Sequence, residues 1–174
     1  MKNANREVLA SLKESIEELV TPLEAAQVEA PGNEDNNVQN GLELIMRELT
    51  MMTLLLTDVD LSVSSGEIDL INDMRRAVYG DQVALLSFSS YEQLCRDLLR
   101  LYPHGRLSVD VLPISISYLL AYDQAHGTKL SEKARALFMR FAEAMVSADE
   151  NKDAVESMVV ANFKDILYPP SGNT

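Results

Sequence analysis

Two short acidic segments hold the residues whose types and spacing are most suggestive of chemistry. Oxygen-bearing side chains occupy alternate positions in both: Asp58, Asp60 and Ser62 in the first, Asp149, Asn151 and Asp153 in the second. A calcium-binding EF-hand loop begins in this way, but it also needs glycine at its sixth position and glutamate at its twelfth. The sixth positions here hold Val63 and Ala154, and the twelfth hold Asp69 and Val160. The pattern therefore favours structural turns, with weak divalent-cation binding as the alternative. The candidate ligands for that alternative are Asp58, Asp60, Asp149 and Asp153.

The same two segments predict helix starts. A serine or aspartate is followed three residues later by glutamate in each, and this predicts four structural caps: Ser64, Glu67, Asp153 and Glu156. In such a capping box the first side chain accepts a hydrogen bond from a first-turn N–H, and the glutamate accepts one from the N–H of the cap residue. The box does not explain Asp60 and Asp149, each four residues before its cap, which either organise the turn or bind an ion.

An internal repeat relates the two segments, at an offset of 89 residues that is set by Asp60 and Asp149. The offset pairs residues of similar character: Leu70 with Val159, Met74 with Phe163, Val78 with Leu167 and Tyr79 with Tyr168. Each copy is preceded by an apolar helical pattern and followed by an amphipathic one. The chain is therefore predicted to contain two related helix–loop–helix units.

The other reactive side chains do not form a catalytic pattern. Cys95 is the single cysteine and is predicted to face the core, where thiols are commonly inert. His104 and His126 lie outside any metal-binding motif, and His126 is placed to interact with a helix C-terminus. The chain contains no G-x-x-x-x-G-K-[ST] phosphate-binding loop. These observations predict a protein that is not an enzyme and has no cofactor.

An amphipathic N-terminal helix, from about Ala4 to Glu24, is the first element that helical periodicity predicts. Its apolar stripe consists of Val8, Leu12, Ile16, Leu19 and Leu23. Pro22 is expected to end or bend this helix, and the Pro, Gly, Asn and acidic residues that follow predict a flexible linker. The predicted organisation is a helical arm over 1–27, a linker over 28–40, a helical domain over 41–169 and a tail over 170–174. The stripe is the candidate partner-binding surface, although docking on the protein's own core is favoured.

Six further helices are predicted after the linker. They cover about 41–57, 65–79, 81–102 with a break at 87–90, 111–126, a segment capped by Ser131, and a segment that starts after Asp153 and ends before Pro169. Ser90 is expected to cap the fourth region, and Gly127 to end the fifth helix. Residues 107–118 also alternate as a strand does, but Pro113 argues against a central strand. The predicted fold is all-α, a seven-helix bundle of two related units with an N-terminal helical arm.

Composition supports the helical prediction and limits the partners. The chain of 174 residues is 47% hydrophobic, lacks tryptophan and has only 7 glycines, a mixture that suits helices better than sheets. Its net charge of −12 disfavours nucleic acid and anionic membranes as partners. Basic protein surfaces or cations are the better candidates. The single cysteine and the polar first ten residues predict a cytoplasmic location.

Several motifs together resemble a known helical family. Both acidic segments are similar to the A-D-G-x-I-S-x-x-E loops of tellurite-resistance B (TerB-like) domains. Residues 121–169 contain the motifs Tyr122-Asp123, His126-Gly127-Thr128, Lys133-Ala134-Arg135, Arg140-Phe141-Ala142 and Leu167-Tyr168-Pro169. With these motifs the segment resembles the TerB-like domain at the N-terminus of AAA-type ATPases related to sporulation protein K and CbbX. The chain departs from the family where Leu61 and Glu150 replace the glycine after each Asp, and where Gly66 precedes Glu67.

The resemblance, which covers roughly residues 42–169, implies a function. It indicates a non-catalytic protein-interaction or adaptor module like the accessory domain of TerB-containing AAA ATPase systems, with a protein partner such as an AAA-type ATPase or a second copy of the chain. The alternative is a small-ion-binding protein of the tellurite stress response, which would use Asp60 and Asp149.

Overall fold

The computed structural model describes residues 2–30, 38–57, 64–101, 112–148 and 154–168. Within these ranges the chain forms seven α-helices and no β-strand, so the all-α prediction is confirmed. The helices are α1 (Lys2–Glu29), α2 (Gly41–Thr57), α3 (Ser65–Tyr79), α4 (Phe88–Leu101), α5 (Ile114–His126), α6 (Leu130–Ala148) and α7 (Ala154–Leu167).

Helix α1 is a central part of the bundle. It packs against α2, α3, α5 and α6. Its stripe supplies core residues that are at most 1% exposed: Leu12, Ile16, Leu19 and Leu23. Val8, at the N-terminal end of the stripe, is 37% exposed. The stripe is therefore docked on the protein's own core, as favoured from the sequence, and α1 is not a separate arm in this structure.

Pro22 lies inside α1 and does not end it, contrary to the sequence-based boundary at Glu24. Proline removes one backbone hydrogen bond and disturbs the preceding turn. Leu19 and Leu23 on either side of it are buried in the core, and so is Ala26 one turn later. This continuous burial favours one uninterrupted helix over a break. The helix therefore extends to Glu29, into the segment predicted as linker.

The two repeat units are interlocked. Helices α2 and α6 pack against each other, α3 packs on α6, and α7 packs on both α6 and α2. Burial matches across the repeat: Met74 and Phe163 are 1% and 5% exposed, whereas Tyr79 and Tyr168 are 41% and 42% exposed. These two pairs of equivalent positions thus face the core or solvent alike, and the two units pack on each other.

The correspondence extends to the helix that precedes each unit, because α1 packs on α2 as α5 packs on α6. A carboxylate of the preceding helix also caps the next one in both cases. The N–H of Gly41, at the start of α2, donates to Glu24 over 3.0 Å. The N–H of Leu130, at the start of α6, donates to Asp123 over 2.8 Å.

The segment before α4 differs from the prediction. Residues 81–87 are not helical, and α4 begins at Phe88. The hydroxyl of Ser87 accepts from the N–H of Ser90 over 3.2 Å, and the hydroxyl of Ser90 accepts from the N–H of Ser87 over 2.6 Å. Ser87 is therefore the cap, and the assignment of that role to Ser90 was wrong. Tyr91, three residues after Phe88, is 1% exposed and anchors this end of α4 in the core.

Helix α5 begins at Ile114, three residues later than expected, with Pro113 immediately before it. It ends as predicted at Gly127, whose φ of 68° lies in the left-handed region that favours glycine. The Gly127 N–H donates to the carbonyl of Asp123 over 2.8 Å. Among the described residues, no helix has the length and apolar character needed to cross a bilayer.

Candidate interaction surface

The capping box expected at the start of α3 is present. The hydroxyl of Ser64 accepts from the N–H of Glu67 over 3.2 Å, and the Glu67 carboxylate accepts from the N–H of Ser64 over 2.7 Å. Glu67 is only 3% exposed. Its buried carboxylate thus serves the helix start. The equivalent residues Asp153 and the side chain of Glu156 lie outside the described parts of the structure.

Gly66 brings the start of α3 against the end of α6. A Cβ added at Gly66 would lie 2.3 Å from the carbonyl oxygen of Ala148, well inside contact distance. Only glycine allows this approach, which explains a residue that is unusual in a first helical turn. Ala148 is the last described residue before 149–153, so one end of each acidic segment is adjacent in space.

The candidate metal ligands themselves, Asp58, Asp60, Asp149 and Asp153, lie outside the described residues. Within the described ranges, no group of three or more His, Cys, Asp or Glu side chains is arranged to hold a metal ion. His104 and the side chain of Cys95 also lie outside the described parts of the structure.

Asp123 organises the connection between α5 and α6. Its carboxylate accepts from the hydroxyl of Thr128 over 2.5 Å and from the N–H groups of Leu130 and Ser131, each over 2.8 Å. Asp123 therefore caps α6 from the preceding helix, and the prediction that Ser131 is the cap was wrong. The sequence carried a signal for this role, because an Asp four residues before Gly-Thr combines a helix end with a hydroxyl donor in the turn.

The hydrogen bonds at Asp123 set its ionisation. Partial burial raises the pKa of this carboxyl. Donation from the Ser131 and Thr128 hydroxyls and from the backbone N–H groups of Ser131 and Leu130 lowers the pKa by more than burial raises it. The net pKa lies below its ordinary value. The charged carboxylate is thus the form that the folded protein stabilises.

His126 joins the C-terminal ends of α5 and α1. Its Nε2 lies 2.6 Å from the carboxylate of Glu29, and its ring packs against that of Tyr122 with centroids 4.1 Å apart. The expected interaction with a helix C-terminus is thus supplemented by an exposed contact between helices. The motif residues Tyr122, Asp123, His126, Gly127 and Thr128 all have structural partners in this one corner.

Glu48 of α2 also makes a contact between two helices, because its carboxylate is bonded to the start of α5. Its carboxylate accepts from the N–H of Ser115 over 3.2 Å and also bonds the Ser115 hydroxyl. Burial raises the pKa of Glu48, while the Ser115 bonds, the Ile114 N–H and nearby Arg47 act in the opposite direction. The net pKa is raised, so this carboxylate supports the fold at some desolvation cost.

The candidate partner-binding stripe of α1 is covered by other helices, and polar contacts flank it. Lys133 of α6 pairs with Glu18 over 2.7 Å, and Arg140 donates to the Ser11 hydroxyl over 2.9 Å. In this arrangement the buried stripe residues are not accessible to a partner.

An exposed apolar surface lies instead where α3 connects to α4. Tyr79, Leu85 and Phe88, here called the α3–α4 surface, are 41%, 43% and 52% exposed. The side-chain amide of Asn72 donates to the carbonyl of Leu86 over 2.9 Å and accepts from its N–H over 2.8 Å. These bonds fasten the connecting segment to α3, with Leu86 packed against the core. Leu85, the preceding residue, is instead exposed to solvent.

Acidic side chains border the α3–α4 surface. Partial burial is the main cause that raises the pKa of Tyr79, nearby Arg75 lowers it, and Glu43 raises it. Asp81 lies two residues after Tyr79 and is exposed. Glu92, one helical turn after Phe88, is also exposed and pairs with Arg96 over 3.9 Å. Neither Glu43 nor Asp81 forms an ion pair with the described part of the chain.

Comparison with protein-family models, with curated proteins and with solved structures gave no match for this chain. The TerB-like assignment thus stays a hypothesis that rests on the motifs quoted above. Function therefore has to be inferred from the surface itself.

Proposed function

We propose that this chain is a non-catalytic protein-interaction module, an adaptor of the kind that the TerB-like resemblance implies for AAA-type ATPase systems. The observation that carries the proposal is the α3–α4 surface. Three large apolar side chains are exposed there, whereas most of the described apolar side chains of the α1 stripe and of the repeat lie in or against one continuous core. Exposed apolar clusters of this kind commonly mark contact sites for other proteins.

The backbone under this surface is fixed, and this supports the proposal. The side-chain amide of Asn72 is hydrogen-bonded to both the N–H and the carbonyl of Leu86. The guanidinium of Arg75 donates to the carbonyl of Ala84 over 3.2 Å. Tyr91 anchors the following helix. A surface that is ordered before binding loses less conformational entropy on association, which favours specific recognition.

Site-directed photo-crosslinking in cells tests the proposal. A benzophenone side chain placed at Phe88 is expected to give one dominant covalent adduct with a distinct protein, which mass spectrometry identifies. The matched control is Val28, on α1, which is 54% exposed against 52% for Phe88. Adducts of equal yield and identity from both positions would contradict an interaction surface at Phe88. The family hypothesis further expects an AAA-type ATPase in the adduct.

A second candidate function is binding of a small divalent cation. The contact of Gly66 with Ala148 favours it, because this contact brings together one described end of each acidic segment. Calorimetric titration with Ca²⁺ and other divalent ions tests this candidate. Heat of binding that Asp60→Ala and Asp149→Ala both abolish would establish the ion-binding function and displace the adaptor proposal.

We also propose a cytoplasmic location, which the absence of paired cysteines in the sequence supports. Fractionation of cells that express the tagged chain tests this. Recovery in a membrane or extracytoplasmic fraction would contradict it.

A further inference from the structure

We propose that the α3–α4 surface binds a basic, amphipathic segment of a partner protein, with apolar side chains of the partner on Leu85 and Phe88 and its lysines or arginines beside Glu43 and Asp81. The inference rests on the proposed interaction function and adds the chemistry of the partner. It predicts which residues provide the apolar contacts and which provide the charge.

The three apolar residues flank one connecting segment, whose backbone is hydrogen-bonded to α3 at two points. Arg75 lies one turn before Tyr79 on α3, and its guanidinium donates to the carbonyl of Ala84, next to Leu85. Phe88 is only three residues beyond Leu85, at the first position of α4. The segment from Tyr79 to Phe88 is thus folded back along α3, with Leu86 inward and Leu85 outward.

The charge around this surface selects the partner. Glu43 and Asp81 are exposed and have no ion-pair partner within the described residues. Of the two nearby cations, Arg76 is paired with Asp73 over 2.9 Å, and the Arg75 guanidinium donates to the carbonyl of Ala84 over 3.2 Å. The whole chain carries a net charge of −12. A basic segment would relieve unpaired negative charge as it covers apolar area, and long-range attraction would increase its association rate.

A second copy of the chain is a poor occupant for the same electrostatic reason. A symmetric pairing through the α3–α4 surface would bring Glu43 and Asp81 of both copies into one interface, between two molecules that each carry a net charge of −12. Like charges opposed across an interface oppose association. The partner is therefore a different, basic chain.

Fluorescence anisotropy with a synthetic helical peptide of leucine and lysine tests the inference on the full chain. The matched peptide has glutamate in place of lysine. We expect the basic peptide to bind and the acidic peptide not to bind. Leu85→Ser and Phe88→Ser should each raise the Kd at least about tenfold, as expected for central apolar contacts. Val28→Ser, equally exposed but on α1, should leave the Kd unchanged. Circular dichroism checks that each variant is folded.

Charge variants provide the second arm. Asp81→Lys should weaken binding of the basic peptide more than Glu14→Lys, an equal charge change at an exposed position of α1. Equal effects of these two variants, or of Phe88→Ser and Val28→Ser, would show non-specific attraction and overturn the inference. Binding of the acidic peptide, or a dimer that Phe88→Ser dissociates, would also overturn it. A specific crosslink from position 88 to a partner that is not basic would retain the interaction function and reject only this partner chemistry.

Discussion

At the scale of single residues, Asp123 has the largest structural role that the described side chains show outside the core. Its carboxylate binds the Thr128 hydroxyl and the N–H groups of Leu130 and Ser131, so it both closes the α5–α6 turn and caps α6. Asp123→Asn keeps one acceptor oxygen, but its amide NH2 group cannot accept the hydrogen bonds that are made to the second carboxylate oxygen. We expect a loss of about 1–2 kcal/mol in the free energy of unfolding, as for other N-cap removals. Urea unfolding measures it, with Gln124→Ala, its exposed neighbour, as the control.

The effect of Asp123 depends on pH in a defined direction. Because its folded-state pKa lies below the ordinary 3.8, the stabilisation is fully present above pH 3.8 and is lost as pH falls through the lowered folded value. The difference between the native chain and Asp123→Asn should therefore be constant near neutrality and decrease in acid below about pH 4. A difference that instead grows on acidification would show that the charged carboxylate is not the stabilised form.

Gly66 is required by packing rather than by backbone conformation. Alanine has the higher helix propensity and would stabilise an unconstrained helix by roughly 1 kcal/mol. At this position its Cβ would meet the Ala148 carbonyl oxygen at 2.3 Å. We therefore expect Gly66→Ala to destabilise the fold by about 1–3 kcal/mol instead of stabilising it, as overpacked sites do. Thermal unfolding measures the change. Ser65→Ala, exposed in the same turn, should be neutral or stabilising, and equal behaviour of the two variants would contradict the close approach.

At the scale of elements, α1 is a central helix that packs against four others, α2, α3, α5 and α6. Leu19 is 1% exposed in the core where α1 meets its neighbours. Leu19→Ala should cost about 2–5 kcal/mol, the range for large-to-small changes at buried leucines. Val8→Ala on the same stripe, at a site that is 37% exposed, should cost much less. Deletion of residues 1–38 should lower the melting temperature of the remainder sharply. An unchanged melt, with rapid amide exchange over residues 8–23, would show that α1 is not docked in solution.

Sequence periodicity was sufficient for the helices whose apolar faces are regular. The α1 stripe, the α2 and α3 boundaries and the Gly127 end of α5 all follow from local spacing and from cap chemistry within a few residues. The all-α class follows as well. The Ser64–Glu67 box was predictable because both partners lie in the same turn.

The features that the sequence did not reveal depend on contacts between distant residues. Pro22 stays inside α1 because the core holds the helix on both sides of it. Residues 81–87 leave the helical path because Asn72, on another element, takes the hydrogen bonds of Leu86. The α3–α4 surface was missed for the same reason, since whether Leu85 or Leu86 faces solvent is set by that tertiary contact.

At the scale of the whole molecule, buried carboxylates and exposed ion pairs contribute differently to stability. The interior consists of apolar side chains together with buried carboxylates, such as that of Glu67, that accept hydrogen bonds from N–H groups at helix starts. The described ion pairs are between exposed side chains, for example Lys133 with Glu18 and Arg76 with Asp73. Such pairs contribute only about 0–1 kcal/mol each. The described ion pairs thus contribute little to stability, and the basic partner proposed above would be attracted by the excess of acidic charge.

Salt should therefore stabilise this protein. Between about 0.01 and 0.15 M NaCl the Debye length falls from roughly 30 to 8 Å, which screens both the ion pairs and the general repulsion. With a net charge of −12 and mostly exposed pairs, the repulsion is stronger than the attraction within the pairs, so the melting temperature should rise with salt. Glu14→Lys, at an exposed site, should weaken this dependence, and Lys129→Glu should strengthen it. A melting temperature that falls with salt would mean that the ion pairs outweigh the repulsion, and the excess acidity would then have to be explained by the fold.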